Sequence, residues 1–577
     1  MFTSAIFRKC TVFSLFLTLA SCQWLLDEKK KNDDIPETCG DNEIQSPEQC
    51  DGSNLQDQTC STLGLGNGVL SCAKNCSYDT SGCSLNASCG DSQIQGNEEC
   101  DGENMNGATC TSLGKYSGVL SCTNTCLFDI SGCGGSCGDG ILQPSFEECD
   151  TLDFGSASCI QTGKFFGQLQ CDSLCKINDS HCNQAIQFGT DQDDSPGAIA
   201  VDAAGNLFVT GPTYGSFETF TNPGGADIIV SKFGSHGIHL WTLQFGSDSY
   251  DIPEDIAIDS LGNIFVTGYT QGSLNNQTLV GSTDIFLVKL DNDGNTLWTR
   301  QWGTSNNDMG NALVLDHDNN IYVTGSIGDT FDGQAYIGLD DAFVTKLDSS
   351  GNILWTRIWG STKTDVPEGI SMDGSGNLYV SGTTWGALDG QTQVGERDAF
   401  LTKWNTQGTK LWSRQWGSTL DDASYATAVS GSGESFVIGS TQGVLDGQHY
   451  GGDWDIFLTK YSSDGNKQWT RQWGTSGLDF GANLILYNNN IYLMGSTNAV
   501  FPGENSSGER DIFVSNFNLN GEHQWTKQLG TTGSDNPGDF SHDGNGNLFI
   551  MGSTNGFWPN QSNFGKTDFF IYHFVIP

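Results

Sequence analysis

The feature that most limits how this chain can fold is a period. The glycine closing a "GNIYVTG"-type run falls at Gly211, Gly268, Gly325, Gly382, Gly439, Gly495 and Gly552, in steps of 57 with a single step of 56. The Asp opening a "DIFLVK"-type run, at Asp227, Asp284, Asp341, Asp398, Asp455, Asp511 and Asp568, keeps the same steps. Periods of this size mean solenoids or propellers. Within one unit, "ALVLD", "NNIYVTG", "DAFVTKLD" and "ILWTRIW" alternate or run apolar between turn residues, as short strands do. Four such strands per repeat make a propeller blade.

"LWTRQWG" at Leu297 returns at Leu354 and Leu411, and more loosely at Leu240, Gln468 and Gln524. Trp298, Arg300 and Trp302 lie two apart and share a strand face, so the Arg is expected to lie between two indoles. The last unit ends in "DFFIYHFVIP" without this strand, and "AIQFG" at Ala185 stands alone before the first unit. The fragment is therefore expected to complete the last blade and close the ring, which removes exposed sheet edges. The reading is all-β: a seven-bladed β-propeller over 184–577, its N-terminal strand closing the last blade.

The unit resembles the bacterial seven-bladed β-propeller (SBBP) repeat, carried by "GNIFVTGYTQG", "TDIFLVKLDNDGN" and "LWTRQWG". That resemblance implies the fold and an exported protein. It implies no activity, because function belongs to sites and not to folds. Blades five and six depart from the pattern, with "GESFVIG" for "GNIYVTG" and Asn516 for the strand Lys of Lys289 and Lys346.

The segment before the propeller obeys a different rule. Eighteen cysteines form three sets of six: Cys39, Cys50, Cys60, Cys72, Cys76, Cys83; Cys89, Cys100, Cys110, Cys122, Cys126, Cys133; and Cys137, Cys149, Cys159, Cys171, Cys175, Cys182. The 395 residues that follow hold none. Units this small bury too little to fold without cross-links, so three disulfide-rich modules are expected over 38–183. Spacing leaves open which of the 15 pairings of six cysteines is made. Zinc is disfavoured, since no His recurs beside Cys72 and Cys76 or their copies.

Carboxylates repeat in the same frame: Asp41, Asp91 and Asp139, then Glu48, Glu98 and Glu147, then Asp51, Asp101 and Asp150. The pattern resembles the cysteine-rich repeats of myxobacterial surface proteins, "CGDG…EECDDG", although only the third module has "CGDG" and none has the double Asp. Three oxygen ligands near a disulfide could seat Ca²⁺. Asp-Gly after a Cys is equally a tight turn.

The N-terminus has two cations, Arg8 and Lys9, and then a short apolar run, Cys10 to Ala20, too brief to span a bilayer. It ends in "LASC", which resembles a bacterial lipobox. The resemblance implies a signal peptide over 1–21 and acylation of Cys22, palmitate included. Residues 22–37 then form an acylated, charged tether. The rival is an ordinary secretory signal with an incidental Cys. Several acyl chains give stable anchoring where one does not. Localisation is then the bacterial envelope: exported, lipid-anchored, in the outer membrane, with the cell surface as one face.

Charge narrows the partners. A net charge of −43 repels nucleic acid and anionic lipid headgroups. The eight His recur at no repeat position, and neither a nucleophile elbow nor a phosphate loop is present. "KLDNDGNTLW" resembles the docking repeat of quinone-dependent dehydrogenase propellers. Those rings have eight blades and a vicinal disulfide, and this propeller has seven units and no Cys. "FDGQ" and "LDGQ" place Asp332, Asp389 and Asp446 on one rim, as carboxylates for a basic partner or as turn residues. The acids that catch the eye are all in repeat register, whereas a catalytic centre needs convergent acids out of register. The expectation is a monomeric, non-catalytic surface binding or adhesion lipoprotein. The alternatives are a periplasm-facing scaffold lipoprotein and a polysaccharide hydrolase or lyase.

Overall fold

The structure is a computed structural model that describes residues 40–576 apart from 42, 85–88, 96–97, 160–163 and 218. Cys22, Cys39 and the leader and tether lie outside the described residues. The chain divides into two compact units, 1–141 and 142–577.

The first unit holds the first two cysteine modules. Each contains two-stranded ribbons, such as Ser117–Gly118 with Cys133–Gly134 and Ser121–Cys122 with Phe128–Asp129. Disulfides stand in for a core. The second module shows the full pairing, Cys89–Cys126, Cys100–Cys122 and Cys110–Cys133. The first repeats it in Cys50–Cys72 and Cys60–Cys83, and the third in Cys149–Cys171 and Cys159–Cys182. Cys76, Cys137 and Cys175 are also disulfide-bonded. First to fifth, second to fourth and third to sixth is the pairing that spacing left open.

The second unit is the propeller with the body of the third module. Seven four-stranded antiparallel sheets form the blades. Strands a to d are counted outward from the axis. Blade 2, for example, runs Asp251–Ile258, Ile264–Thr270, Asp284–Leu290 and Thr296–Trp302. Strand a of each blade touches strand a of both neighbours, and the contacts close from blade 7 to blade 1. Strands b and c are buried along almost their whole length, because each sheet is covered on both faces by the next. Strand d is half open, which suits its mixed "LWTRQW" composition.

Ala185–Phe188 pairs antiparallel with Asp568–Val575 as strand d of blade 7. The ring is thus sealed by the first propeller strand against the last. One detail of strand d differs from expectation. The Arg300 guanidinium lies 5.1 Å from the Trp298 ring and does not sit between two indoles. Its Nε and Nη2 instead donate to the carbonyls of Gly351 and Ser350, in the c–d turn of the next blade, both at 2.9 Å. Arg357, Arg414 and Arg471 reach Gly408, Gly465 and Gly521 in the same way. Trp302 turns inward to the core between blades.

The third module is packed on the propeller. Phe165 and Phe166 are buried in one cluster with Phe233, Phe549, Phe569 and Ile571. Phe165 stacks on His573 at 4.2 Å.

Candidate functional site

The repeat frame itself is held by buried carboxylates. Every blade has one buried Asp opening strand c and one opening strand a, except that in blade 1 the latter, Asp194, lies five residues ahead of the strand and bridges to Thr213. At the seam of blades 2 and 3, Asp284 accepts from Gln301 Nε2 (3.0 Å), Val280 N (2.9 Å) and Gly281 N (3.1 Å). Asp308 accepts from Thr304 Oγ1 (3.0 Å) and Gly328 N (2.9 Å). Between them lies Gly303, where a Cβ would come within 2.7 Å of both carboxylates. Blade 1 loses both loop donors: Pro223 replaces the residue whose N–H serves Asp284 Oδ2 in blade 2, and the N–H of Gly224 turns to Asn222, so Asp227 Oδ1, like Asp511 Oδ1 of blade 6, has no partner among the described residues. Burial pushes Asp227 up to about 6, held back by Gln244 and raised further by Asp251.

The first two recurring acids of each cysteine module accept from their own turns. Asp41, Asp91 and Asp139 each accept the backbone N–H two residues on. Glu48, Glu98 and Glu147 accept from Gln45, Gln95 and Gln143. Asp51 and Asp101 are buried and take the N–H of Gly40 and Gly90. Asp150 is buried as well. Glu48 and Asp51 cluster with Cys76, and Asp101 with Cys89 and Cys126, but these sulfurs are in disulfides and offer no thiolate. On the rim, Asp332, Asp389 and Asp446 all have left-handed backbones, with φ of 49, 49 and 50°. Asp389 pairs with Lys410, and Asp446 with Lys467 and Thr470.

The axial channel gathers residues that the sequence reading passed over. Five of the seven a strands carry a one-residue bulge at the same point, after Pro253, Gly310, Pro367, Ser424 and Gly481. A bulge re-aims the extra side chain. The five bulged residues are Glu254, Asn311, Glu368, Tyr425 and Ala482, and all five line a cavity of about 540 Å³ on the axis. Asp255, Asn483, Asp539 and Arg510 line it too. These acids keep repeat register, Glu254 with Glu368 and Asp255 with Asp539, but each position is acidic in only two blades, and the channel brings all four together. The sequence singles out other in-register acids and not those of the channel. Its signal was present in "PED", "GNA", "PEG", "SYA", "GAN" and "PGD", a point of the repeat where residue type swings most.

Two kinds of acid meet there. Asp255 accepts from Leu313 N (2.7 Å) of the next blade and from Ile256 N. Asp539 accepts from Ile199 N (3.1 Å), Phe540 N and Asn483 Nδ2. Both tie adjacent blades. Glu254 and Glu368 have no hydrogen-bond partner among the described residues. They are exposed to the lumen, yet protein surrounds the lumen and little bulk water solvates them. Burial, and then the charge of Glu368, pushes Glu254 up to about 8; burial pushes Glu368 to about 7. Burial raises Asp255 to about 8 against the pull of the Leu313 amide, and Asp539 to about 6. Loss of hydration disfavours the charged form in each case.

Comparison with known proteins agrees with the repeat. Segments 240–275, 297–331, 354–388 and 524–557 match the family described as Beta-propeller repeat, SBBP. Each runs from strand d of one blade through strands a and b of the next. A 184-residue stretch is 27% identical to Regulatory protein FlaEY of Caulobacter vibrioides, covering 29% of this chain and 19% of that one. Another of 346 residues is 24% identical to a WD repeat-containing protein of Acanthamoeba polyphaga mimivirus, covering 51% and 23%. The chain thus spans about a fifth of the length of these relatives. Among solved structures, polysaccharide lyase Uly1 matches at 9% identity and a TM-score of 0.41, over 68% of this chain and 99% of that one. The WD40 domain of Neurospora crassa Pan2 matches at 8% and 0.38, over 66% and 89%. Neither likeness bears on activity.

Proposed function

We propose that this chain is an exported, lipid-anchored, monomeric binding protein whose propeller presents its axial channel to a cationic group of a partner. The observation that carries the reading is Glu254 and Glu368, two carboxylates on one ring with no hydrogen-bond partner among the described residues. The blades keep their frame residues constant and vary the bulged residue, which is how a scaffold is fitted to one ligand. A guanidinium or ammonium entering the lumen replaces the hydration these carboxylates lack. Cys22 supplies the anchor, and the surface-facing orientation makes the role adhesive.

Titration of the full chain with a tetra-arginine peptide tests the site. Binding is expected to weaken at least tenfold in the double variant Glu254→Gln/Glu368→Gln, and to strengthen from pH 6 to pH 8 as the carboxyls ionise. Equal affinity in wild type and double variant would overturn the channel as the site. Palmitate labelling that persists in Cys22→Ser would overturn the anchor. Protease shaving of intact cells separates the faces: survival of the propeller until the envelope is opened favours the periplasmic scaffold.

A second reading, cleavage of a polysaccharide, draws on the same pair. Carboxyls that titrate near 8 and 7 are partly protonated at neutral pH, as a general acid must be. Release of reducing ends from a glycan by wild type, and not by Glu254→Gln, would favour it over binding alone.

A further inference from the structure

A recess of about 710 Å³ opens on the rim where blade 7 meets blade 1, away from the residues that line the channel. Its walls come from the d–a connection at Thr190 to Gln192 and from the b–c loops of both blades, through Tyr214 to Ser216, Asn222 and Phe564. Tyr214 and Phe564 are 42% and 54% exposed, far more than aromatic rings in the seams below.

The pairing is specific to this seam. The positions equivalent to Tyr214 hold Gln271, Gly328, Trp385, Gln442, Asn498 and Asn555. Those equivalent to Phe564 hold Pro223, Val280, Ile337, Val394, Gly451 and Ser507. At these two loop positions only the seam that closes the ring has an aromatic residue on both sides, and Tyr214 also packs edge-on against Tyr250 at 6.4 Å. The polar groups are equally placed for a ligand. The Gln192 side-chain amide and the Asp191 carboxylate have no hydrogen-bond partner among the described residues, while the Gln192 backbone N–H donates to Thr190 Oγ1. Ser216 Oγ accepts from Asn222 N (3.0 Å), which leaves its proton to donate outward. Asn222 fixes the loop: its Nδ2 donates to Thr213 and Gly225 carbonyls and its Oδ1 accepts from Gly224 N. The site is therefore held in shape before anything binds.

We infer that this recess binds a neutral oligosaccharide. Aromatic faces flanked by an amide, a carboxylate and a hydroxyl match the two kinds of surface a sugar ring offers, apolar C–H faces and equatorial hydroxyls. A carboxylate accepting from hydroxyls makes the stronger, charge-assisted bond. Asp191 and the overall charge of −43 repel polyuronates and sulfated glycans, so the ligand is uncharged. This site is independent of the channel.

Calorimetric titration of the full chain with cellohexaose, chitohexaose and mannohexaose tests it. At least one is expected to bind. Tyr214→Ala and Phe564→Ser should each weaken that binding at least tenfold. Gln192→Ala should weaken it less, and Tyr214→Phe should retain it. Phe564 is an exposed loop residue, so its replacement keeps the fold, and an unchanged melting temperature checks this. Glu254→Gln/Glu368→Gln should bind sugar as wild type does, which separates failure here from failure of the channel reading. No binding of any of the three sugars, or equal binding by the Tyr214 and Phe564 variants, overturns the proposal.

Discussion

At Gly303, conformational freedom is not the issue; space is. A methyl group there would press on Asp284 and Asp308 at 2.7 Å, and both are already committed to backbone and side-chain donors. Gly303→Ala is expected to cost about 1–3 kcal/mol, the usual range for overpacking, read from the midpoint of urea unfolding. The same scale accounts for the rise at Asp227: the carboxylate is buried, and among the described residues only Gln244 donates to it, so its neutral form is favoured. The Arg of strand d shows a limit of pattern reading. Three residues on one face were legible from alternation, but the partner of the guanidinium was a turn about fifty residues later in the chain. Alternation says which side a residue faces and not what waits there.

Among the elements, the closing strand and the third module matter most. Ala185–Phe188 was legible as a missing strand because the last repeat lacked one and the first fragment was a spare. The docking of the third module was not legible. Its Cys spacing matches that of the other two but for one extra residue before the second Cys, and neither that nor its "CGDG" points to the "FF" at Phe165 and Phe166 as a docking contact. Phe166→Ala is expected to destabilise the propeller by about 3–5 kcal/mol, as for a large aromatic deleted from a core, measured by denaturant unfolding followed at the propeller's tryptophans. In the second module, replacing Cys100 and Cys122 by Ser should cost about 2–5 kcal/mol and leave the propeller's unfolding midpoint unchanged. The bulge of strand a is likewise an element-scale feature. It repeats in the backbone while its side chain does not, so a search for recurring residues passes over it.

For the whole molecule, charge placement sets a pH dependence. Glu254 and Asp255 titrate near 8, Glu368 near 7, and Asp194, Asp227, Asp365, Asp422 and Asp539 near 6. Each is raised above its unfolded value near 4, so each takes up a proton on folding. Stability therefore rises as pH falls from above 8 toward about 4, and these groups weaken the fold above their folded values. His573, depressed to about 4 by burial, acts in the opposite sense and costs stability as pH falls below about 6.5. The melting temperature is expected to be higher at pH 6 than at pH 8.5, and the difference should shrink in Glu254→Gln/Glu368→Gln. A melting temperature flat across that range would contradict the channel electrostatics.

The sequence by itself determined the architecture. A 57-residue period, strand-length apolar runs and an unpaired first strand leave a closed seven-bladed ring as the economical solution, since each blade buries its faces only against another. Cysteine arithmetic likewise determined three cross-linked modules. What tertiary structure alone decided was convergence. Residues 57 or 114 positions apart, such as Glu254, Asn311 and Glu368, become neighbours only when the ring closes about its axis. Tyr214 and Phe564, at opposite ends of the repeat array, meet only because the last blade must find the first. Periodicity is a local property of the chain and can be read along it. A site built across the symmetry axis or the closing seam exists only in three dimensions.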